Sequence, residues 1–126
     1  MLYPYSNAHR PPAPVLEATI AHPGISDAST ILNAKIDTGA DITTIPKTVF
    51  LQPQIPPCRE VLAVGYNGEE TRQRTYLVHL SIAGNIYAYH EVMATTGRQA
   101  LIGRDILNQW VVTLDGPNER IDIKTD

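Results

Sequence analysis

The sequence predicts an all-β domain, a barrel or sandwich, with one short helix near its carboxyl end. Three observations point there. From Val15 onward, apolar and β-branched residues come in short runs. Turn residues separate those runs: His22-Pro23-Gly24, Gly65-Tyr66-Asn67-Gly68, Gly84-Asn85 and Asp115-Gly116-Pro117-Asn118. Within the runs, apolar spacing fits a period of two, as a strand requires, better than the roughly 3.6-residue period of an amphipathic helix. Many short strands, a single helix and frequent turns together favour an all-β architecture.

The elements follow in order. Residues 1–13 are rich in proline and polar groups and read as an arm, disordered unless Tyr3 and Tyr5 dock on the domain formed by residues 14–126. Val15 to Ile20 is strand-like and stops at His22-Pro23-Gly24. Thr30 to Ile36 is a second strand, ending at Asp37-Thr38-Gly39, and Ile42 to Ile45 a short third one closed by Pro46. The prolines between Leu51 and Pro57 make that segment a loop. Arg59 to Val64 and Thr71 to Ile82 flank Asn67-Gly68, two residues that both tolerate positive φ, so the pair reads as a tight hairpin. Tyr76, Val78, Leu80 and Ile82 alternate with Leu77, His79 and Ser81 on the return strand. Ile86 to Ala94 is a further strand, Gly103 to Gln109 the one helical segment, and Val111–Leu114 with Arg120–Ile123 a final hairpin.

Bulk properties narrow the function. At 126 residues the chain fits one domain, and its apolar fraction of 43% supports a modest core that oligomerisation would help to bury. A formal net charge of -3, without a long basic run, argues against nucleic acid as a partner. Cys58 is the only cysteine, so no internal disulfide forms, and the chain suits a reducing compartment. The amino terminus lacks the basic start and apolar run of a secretory signal, and no apolar stretch approaches a membrane span. A cytoplasmic protein without a membrane partner is the expectation.

The chemistry centres on Asp37. An apolar strand carries its carboxylate inward, Thr38 can hydrogen-bond across to a neighbouring chain, and Gly39 lets the backbone turn tightly so that its N–H faces the carboxylate. A bare Asp-Thr-Gly is a weak signal, since an aspartate capping its own turn gives the same triplet. The longer run Ile36-Asp37-Thr38-Gly39-Ala40-Asp41 resembles the active-site motif of retroviral-type (retropepsin-like) aspartic peptidases. The block Ala100-Leu101-Ile102-Gly103-Arg104-Asp105-Ile106-Leu107 resembles that family's pattern of two apolar residues, glycine, arginine and a short helix. Between them the hairpin Gly65-Tyr66-Asn67-Gly68 stands where the family places its flap.

The resemblance spans roughly Val15 to Leu114. It implies a closed β-barrel or sandwich that works as a C2 homodimer on a peptide or protein substrate, with no cofactor and no metal. It makes Asp37 the catalytic residue, Thr38 the residue interlocking two active-site loops, Gly39 a contact to carboxylate and substrate, and Ala40 part of the same loop. Asp41 and Arg104 match a structural ion pair, and Gly65, Tyr66, Asn67 and Gly68 match the substrate-covering flap. One Asp-Thr-Gly in so short a chain implies that the second carboxylate comes from a second copy. The continuation past Leu114 is similar to that of cellular and longer retroviral relatives, which implies dimerisation through the carboxyl-terminal hairpin, with Ile121 and Ile123 on its apolar face.

Other chemistries fit less well. Aspartyl-phosphate transfer usually sits on an α/β fold with Mg²⁺. Zinc hydrolysis lacks a motif, because His9, His22, His79 and His90 are scattered. The alternative from another class is a non-catalytic, retropepsin-like dimerisation or peptide-binding module.

Overall fold

The computed structural model describes residues 1–24, 29–51, 55–65 and 67–125. Ten strands form two sheets: β1 (Leu2–Pro4), β2 (Val15–Ala21), β3 (Ser29–Ile36), β4 (Thr44–Pro46), β5 (Pro57–Val64), β6 (Glu70–Ile82), β7 (Asn85–Thr95), β8 (Ala100–Ile102), β9 (Val111–Asp115) and β10 (Arg120–Lys124). A 3₁₀ turn covers Lys47–Leu51, and helix α1 spans only Arg104–Leu107. The larger sheet runs β2-β3-β8-β4-β7-β6-β5, and a further pairing of β2 with β6 closes it into a barrel.

Closure depends on the length of β6. Its first half, Glu70 to Tyr76, pairs with β5, while His79 to Ile82 pairs along the same edge with β2. The β5–β6 hairpin therefore projects from the barrel, with β5 as an outer strand. Alternation does the rest: Val78, Leu80 and Ile82 turn inward beside Leu16, Ala18 and Ile20 of β2 and Ala34 and Ile36 of β3. Each Val, Leu or Ile side chain so buried stabilises the barrel by roughly 1.5–3 kcal/mol relative to exposure. Tyr76, at the barrel mouth, stacks on Phe50 with ring centroids 3.9 Å apart.

Several boundaries differ from the sequence reading. Ile42 belongs to a loop, so the third strand of the reading begins at Thr44. Pro57 opens β5 instead of ending a loop, where its missing N–H costs nothing on an outer strand. Asn67-Gly68 does not form a two-residue turn. Gly68 N–H donates to the Gly65 carbonyl (3.0 Å), Gly65 N–H donates to the Glu69 carbonyl (2.9 Å), and of the two turn residues only Gly68 has positive φ. Gly68, lacking a Cβ, takes the left-handed conformation without steric cost.

The amino-terminal arm takes the docking alternative. β1 pairs antiparallel with β10, giving the small sheet β1-β10-β9, and Tyr3 and Tyr5 pack against the core. A bridge between Ser6 and Ala13 turns the chain back toward β2.

Candidate active site

Asp37 directly follows β3, which runs parallel to β8 with Ile36 beside Ile102. Asp37 N–H continues that ladder by donating to the Ile102 carbonyl at 3.0 Å. Beyond it the chain must leave the sheet. Ala40 N–H donates to the Asp37 carbonyl (3.2 Å), which closes a tight turn, and Gly39 N–H donates to Asp37 Oδ1 at 2.9 Å. A Cβ on residue 39 would sit 3.2 Å from that same oxygen, so glycine keeps the carboxylate uncrowded.

The rest of the loop is tied to β8 and α1. Arg104 N–H donates to the Ala40 carbonyl (2.9 Å). Its guanidinium donates through Nη1 to the Thr38 carbonyl (2.6 Å) and through Nη2 to the Asp41 carboxylate. Gly103 is where the two segments touch: a Cβ there would lie 2.6 Å from the Ile42 carbonyl carbon. No side chain fits so close to main chain, which gives the Gly-Arg pair a local physical reason.

One anchor of this loop was not legible as such. Asp105 Oδ1 accepts from both Thr43 N–H (3.0 Å) and Thr43 Oγ1 (2.9 Å), and Thr43 Oγ1 accepts from Gly103 N–H (3.1 Å). Asp105 Oδ2 lies 2.8 Å from His90 Nε2. Burial alone would raise the Asp105 carboxyl, and the hydrogen bonds from His90 and Thr43 outweigh it, leaving the pKa below the ordinary carboxylate value. The order of these groups excludes a hydroxyl nucleophile. The carboxylate, not the imidazole, stands between Thr43 and His90, and Thr43 is only 2% exposed.

Asp37 opens onto a cleft of about 530 Å³ lined by Gly39, Ala40, Asp41, Ile42, Thr44 and Met93 below and by Val61 to Val64 of β5, with Gly65 just beyond it, above. The β5 side of the cleft is apolar, and Leu62 and Val64 are 64% and 68% exposed. Of the anticipated site residues, Asp37, Gly39, Ala40, Asp41 and Gly65 line this cleft together. Thr38 is exposed at the loop tip, and Arg104 acts from behind the loop. Asn67 and Gly68 lie beyond the cleft lining, and Tyr66 lies outside the described residues. At the base of the hairpin, Arg59 donates to both oxygens of Glu91 (2.6 and 2.9 Å), and buried Thr75 Oγ1 donates to Glu91 as well (2.6 Å). The Arg59 hydrogen bonds, with that of Thr75, hold the Glu91 pKa down at about 2.

Two other histidines have partners of their own. His9 Nε2 faces Gln99 Oε1 at 3.1 Å, and His22 Nδ1 faces the Pro23 carbonyl at 2.8 Å.

Comparison with known proteins agrees with this geometry. The family model described as Retroviral aspartyl protease matches residues 12–115. Among solved structures, the chain is similar to EIAV protease complexed with the inhibitor HBY-793, with a TM-score of 0.50 and 21% identity over 76% of this chain and 86% of that one. That likeness is one of fold. No curated protein matches the chain. The family match spans most of the sequence, and the chain belongs to the retroviral aspartyl protease family; it is an aspartic endopeptidase.

Proposed function

We propose, from membership of that family, that the active species is a C2 homodimer in which Asp37 and the partner's Asp37 share one catalytic water. One Asp37, ionised, takes a proton from the water as it attacks the scissile carbonyl. The other, protonated, donates to the carbonyl oxygen, and the pair then returns a proton to the leaving amine. Two carboxylates this close share one proton because ionising both is costly. The single observation that carries the reading is the Asp37 loop itself: a carboxylate at the mouth of a cleft, held by Gly39 N–H and braced by Arg104. Asp41 also lines the cleft, but its carboxylate is engaged by Arg104 and is not free to hold the shared proton.

The remaining roles follow from placement. Thr38, exposed at the loop tip, faces outward where a second loop would interlock with it. The β5–β6 hairpin serves as the flap, and its apolar strand from Val61 to Val64 supports extended substrates with apolar side chains near the cut. Cys58 is free and exposed, the state a reducing compartment maintains, which supports a cytoplasmic location. Among the described residues no helix is long and apolar enough to cross a membrane.

The carboxyl-terminal hairpin supports the interface in a changed form. Ile121 and Ile123 cannot supply the contact, because they are buried in the subunit's own core (0% and 5% exposed). β9 remains: it ends the small sheet with an unpaired edge among the described residues and exposes Val111 (65%) and Leu114 (46%). Edge-to-edge pairing of two β9 strands would satisfy that edge and cover those side chains.

Incubation with a diverse peptide library, with and without pepstatin, tests the reading by mass spectrometry. Cleavage should occur, pepstatin should block it, and Asp37→Asn should abolish it while the fold persists. Undiminished cleavage by Asp37→Asn would remove Asp37 from the mechanism. Introducing like charges on the β9 edge, Val111→Glu with Leu114→Glu, should shift the species in solution toward monomer and lower activity in proportion. An active dimer in that variant would place the interface elsewhere.

A further inference from the structure

The Asp37 loop is held from a second side by β7, a strand remote from it in the chain. β7 faces β6 with one extra residue: Val78 pairs with His90, but Leu80 pairs with Tyr87. Between those pairs one residue of β6, His79, opposes two of β7, Ala88 and Tyr89, which is a bulge. Its effect shows in exposure. Strict alternation would put Tyr87 and His90 on opposite faces, whereas Ala88 and Tyr89 are both exposed and His90 returns to the side of Tyr87.

The bulge thus aims His90 inward. Its ring lies against Tyr87 (centroids 5.6 Å apart, tilted 57°), and Tyr87 is fixed in turn by the Trp110 Nε1–H that donates to its hydroxyl at 3.0 Å. The His90 side chain is 16% exposed and Asp105 is 20% exposed, so their 2.8 Å contact is largely shielded from water. β7 reaches the same loop residue twice. Met93 N–H donates to the Thr43 carbonyl at 2.9 Å, and His90 acts through Asp105 on the Thr43 N–H and hydroxyl.

We infer that His90 is a positioning residue for the catalytic loop: by donating to Asp105 it fixes the carboxylate that holds Thr43, and so sets where Asp37 presents its own carboxylate. Asp105 has two jobs on two oxygens. Without a donor at Oδ2 its carboxylate can rotate or draw in water, and the two bonds to Thr43 lose their fixed acceptor. His90 touches neither substrate nor the reacting atoms, and its contribution is to geometry.

The catalytic half of this inference rests on the endopeptidase reading, so its test has an arm that needs no cleavage. Three substitutions are compared in the full chain. His90→Leu keeps volume and removes the donor. His90→Asn keeps polarity with an amide too short to reach Asp105. His90→Gln carries an amide N–H at the reach of Nε2. Amide exchange at Thr43 and Gly103 should accelerate about tenfold in the Leu and Asn variants and stay near wild type in the Gln variant, as loss of one hydrogen bond to a charged group predicts. On a cleaved peptide, kcat should fall about tenfold for Leu and Asn with KM little changed, and Gln should restore it. If the Leu variant does not fold, the contrast between Asn and Gln decides. Unchanged exchange at Thr43 in the Asn variant, or a Gln variant as impaired as Asn, would overturn the role of His90. Absence of any cleavage sensitive to Asp37→Asn would overturn the endopeptidase reading instead, and leave the exchange result standing.

Discussion

Two segments face each other across the cleft, and they are held in opposite ways. The loop from Asp37 to Thr43 is short and tied from behind by main-chain bonds to Ile102, Gly103, Arg104 and Met93, and by the side chains of Arg104 and Asp105. The β5–β6 hairpin above it is long and holds on to itself. Among the described residues its tip bonds are internal, as between Gly65 and Glu69 or Asn67 and Glu69, and its one ion pair beyond the base, Arg72 with Glu60, is 3.9 Å long and exposed. Its firm link to the barrel comes at the base, through Arg59, Glu91 and Thr75. The contrast teaches a difference in constraint: the loop that presents Asp37 is over-determined, and the hairpin above it is anchored at one end, as the proposed flap role would need.

The largest expected effect comes from breaking the tight side. Gly103→Ala forces a Cβ to within 2.6 Å of the Ile42 carbonyl carbon, and backbone cannot yield as a flexible side chain would. A loss of about 1–3 kcal/mol in urea unfolding is expected, with activity lost alongside. Gly68→Ala, on the loose side, meets open space and strains only its positive φ of 77°, so it should cost about 1 kcal/mol and leave the barrel intact. Equal costs for the two would erase the comparison.

Arg104→Lys sharpens it. The ion pair with Asp41 is exposed, 41% and 86%, so stability should change by less than about 1 kcal/mol. Activity should nevertheless drop several-fold, because an ammonium cannot reach Thr38 and Asp41 with separate donors as the planar guanidinium does. Calorimetry and peptide cleavage on the same preparation separate the two effects.

Amide exchange reads the contrast without mutation. Thr43 and Gly103 should be the slow amides and Gly65 and Glu69 the fast ones, with pepstatin slowing the hairpin tip far more than the loop. A tip already slow in the free protein would count against its opening.

The smallest effect is the pH response at the hairpin base. The Glu91 pKa is depressed, so its contribution to stability is complete above the ordinary value near 4.5 and is lost as pH falls toward about 2. Glu91→Gln should remove that part of the acid sensitivity and loosen the hairpin at neutral pH. An unchanged acid midpoint in that variant would mean that the base is held by packing alone.

Much of this was legible in the chain because it is local. Asp37-Thr38-Gly39 and Gly103-Arg104 announce themselves since each residue type answers a need within a few residues: a turn, a close approach, a fork of donors. Strand positions followed from alternation, as in Val78, Leu80 and Ile82. What was misread or left open involves remote partners. Ile121 and Ile123 read as an interface face, and the barrel took them as core. Tyr3 and Tyr5 sat in an arm with no visible partner until β10, more than a hundred residues away, supplied an edge.

By itself the sequence determined the strand-rich fold class, the Asp37 turn and the family to which the chain belongs, because periodicity and turn chemistry act over neighbouring residues. Only the tertiary structure decided that His90 faces Asp105, that Glu91 clamps Arg59, and that β9 ends the small sheet with an open edge among the described residues. A single extra residue in β7 reverses which face every later side chain occupies, and which edges of a sheet stay unpaired depends on where all the other strands have already gone.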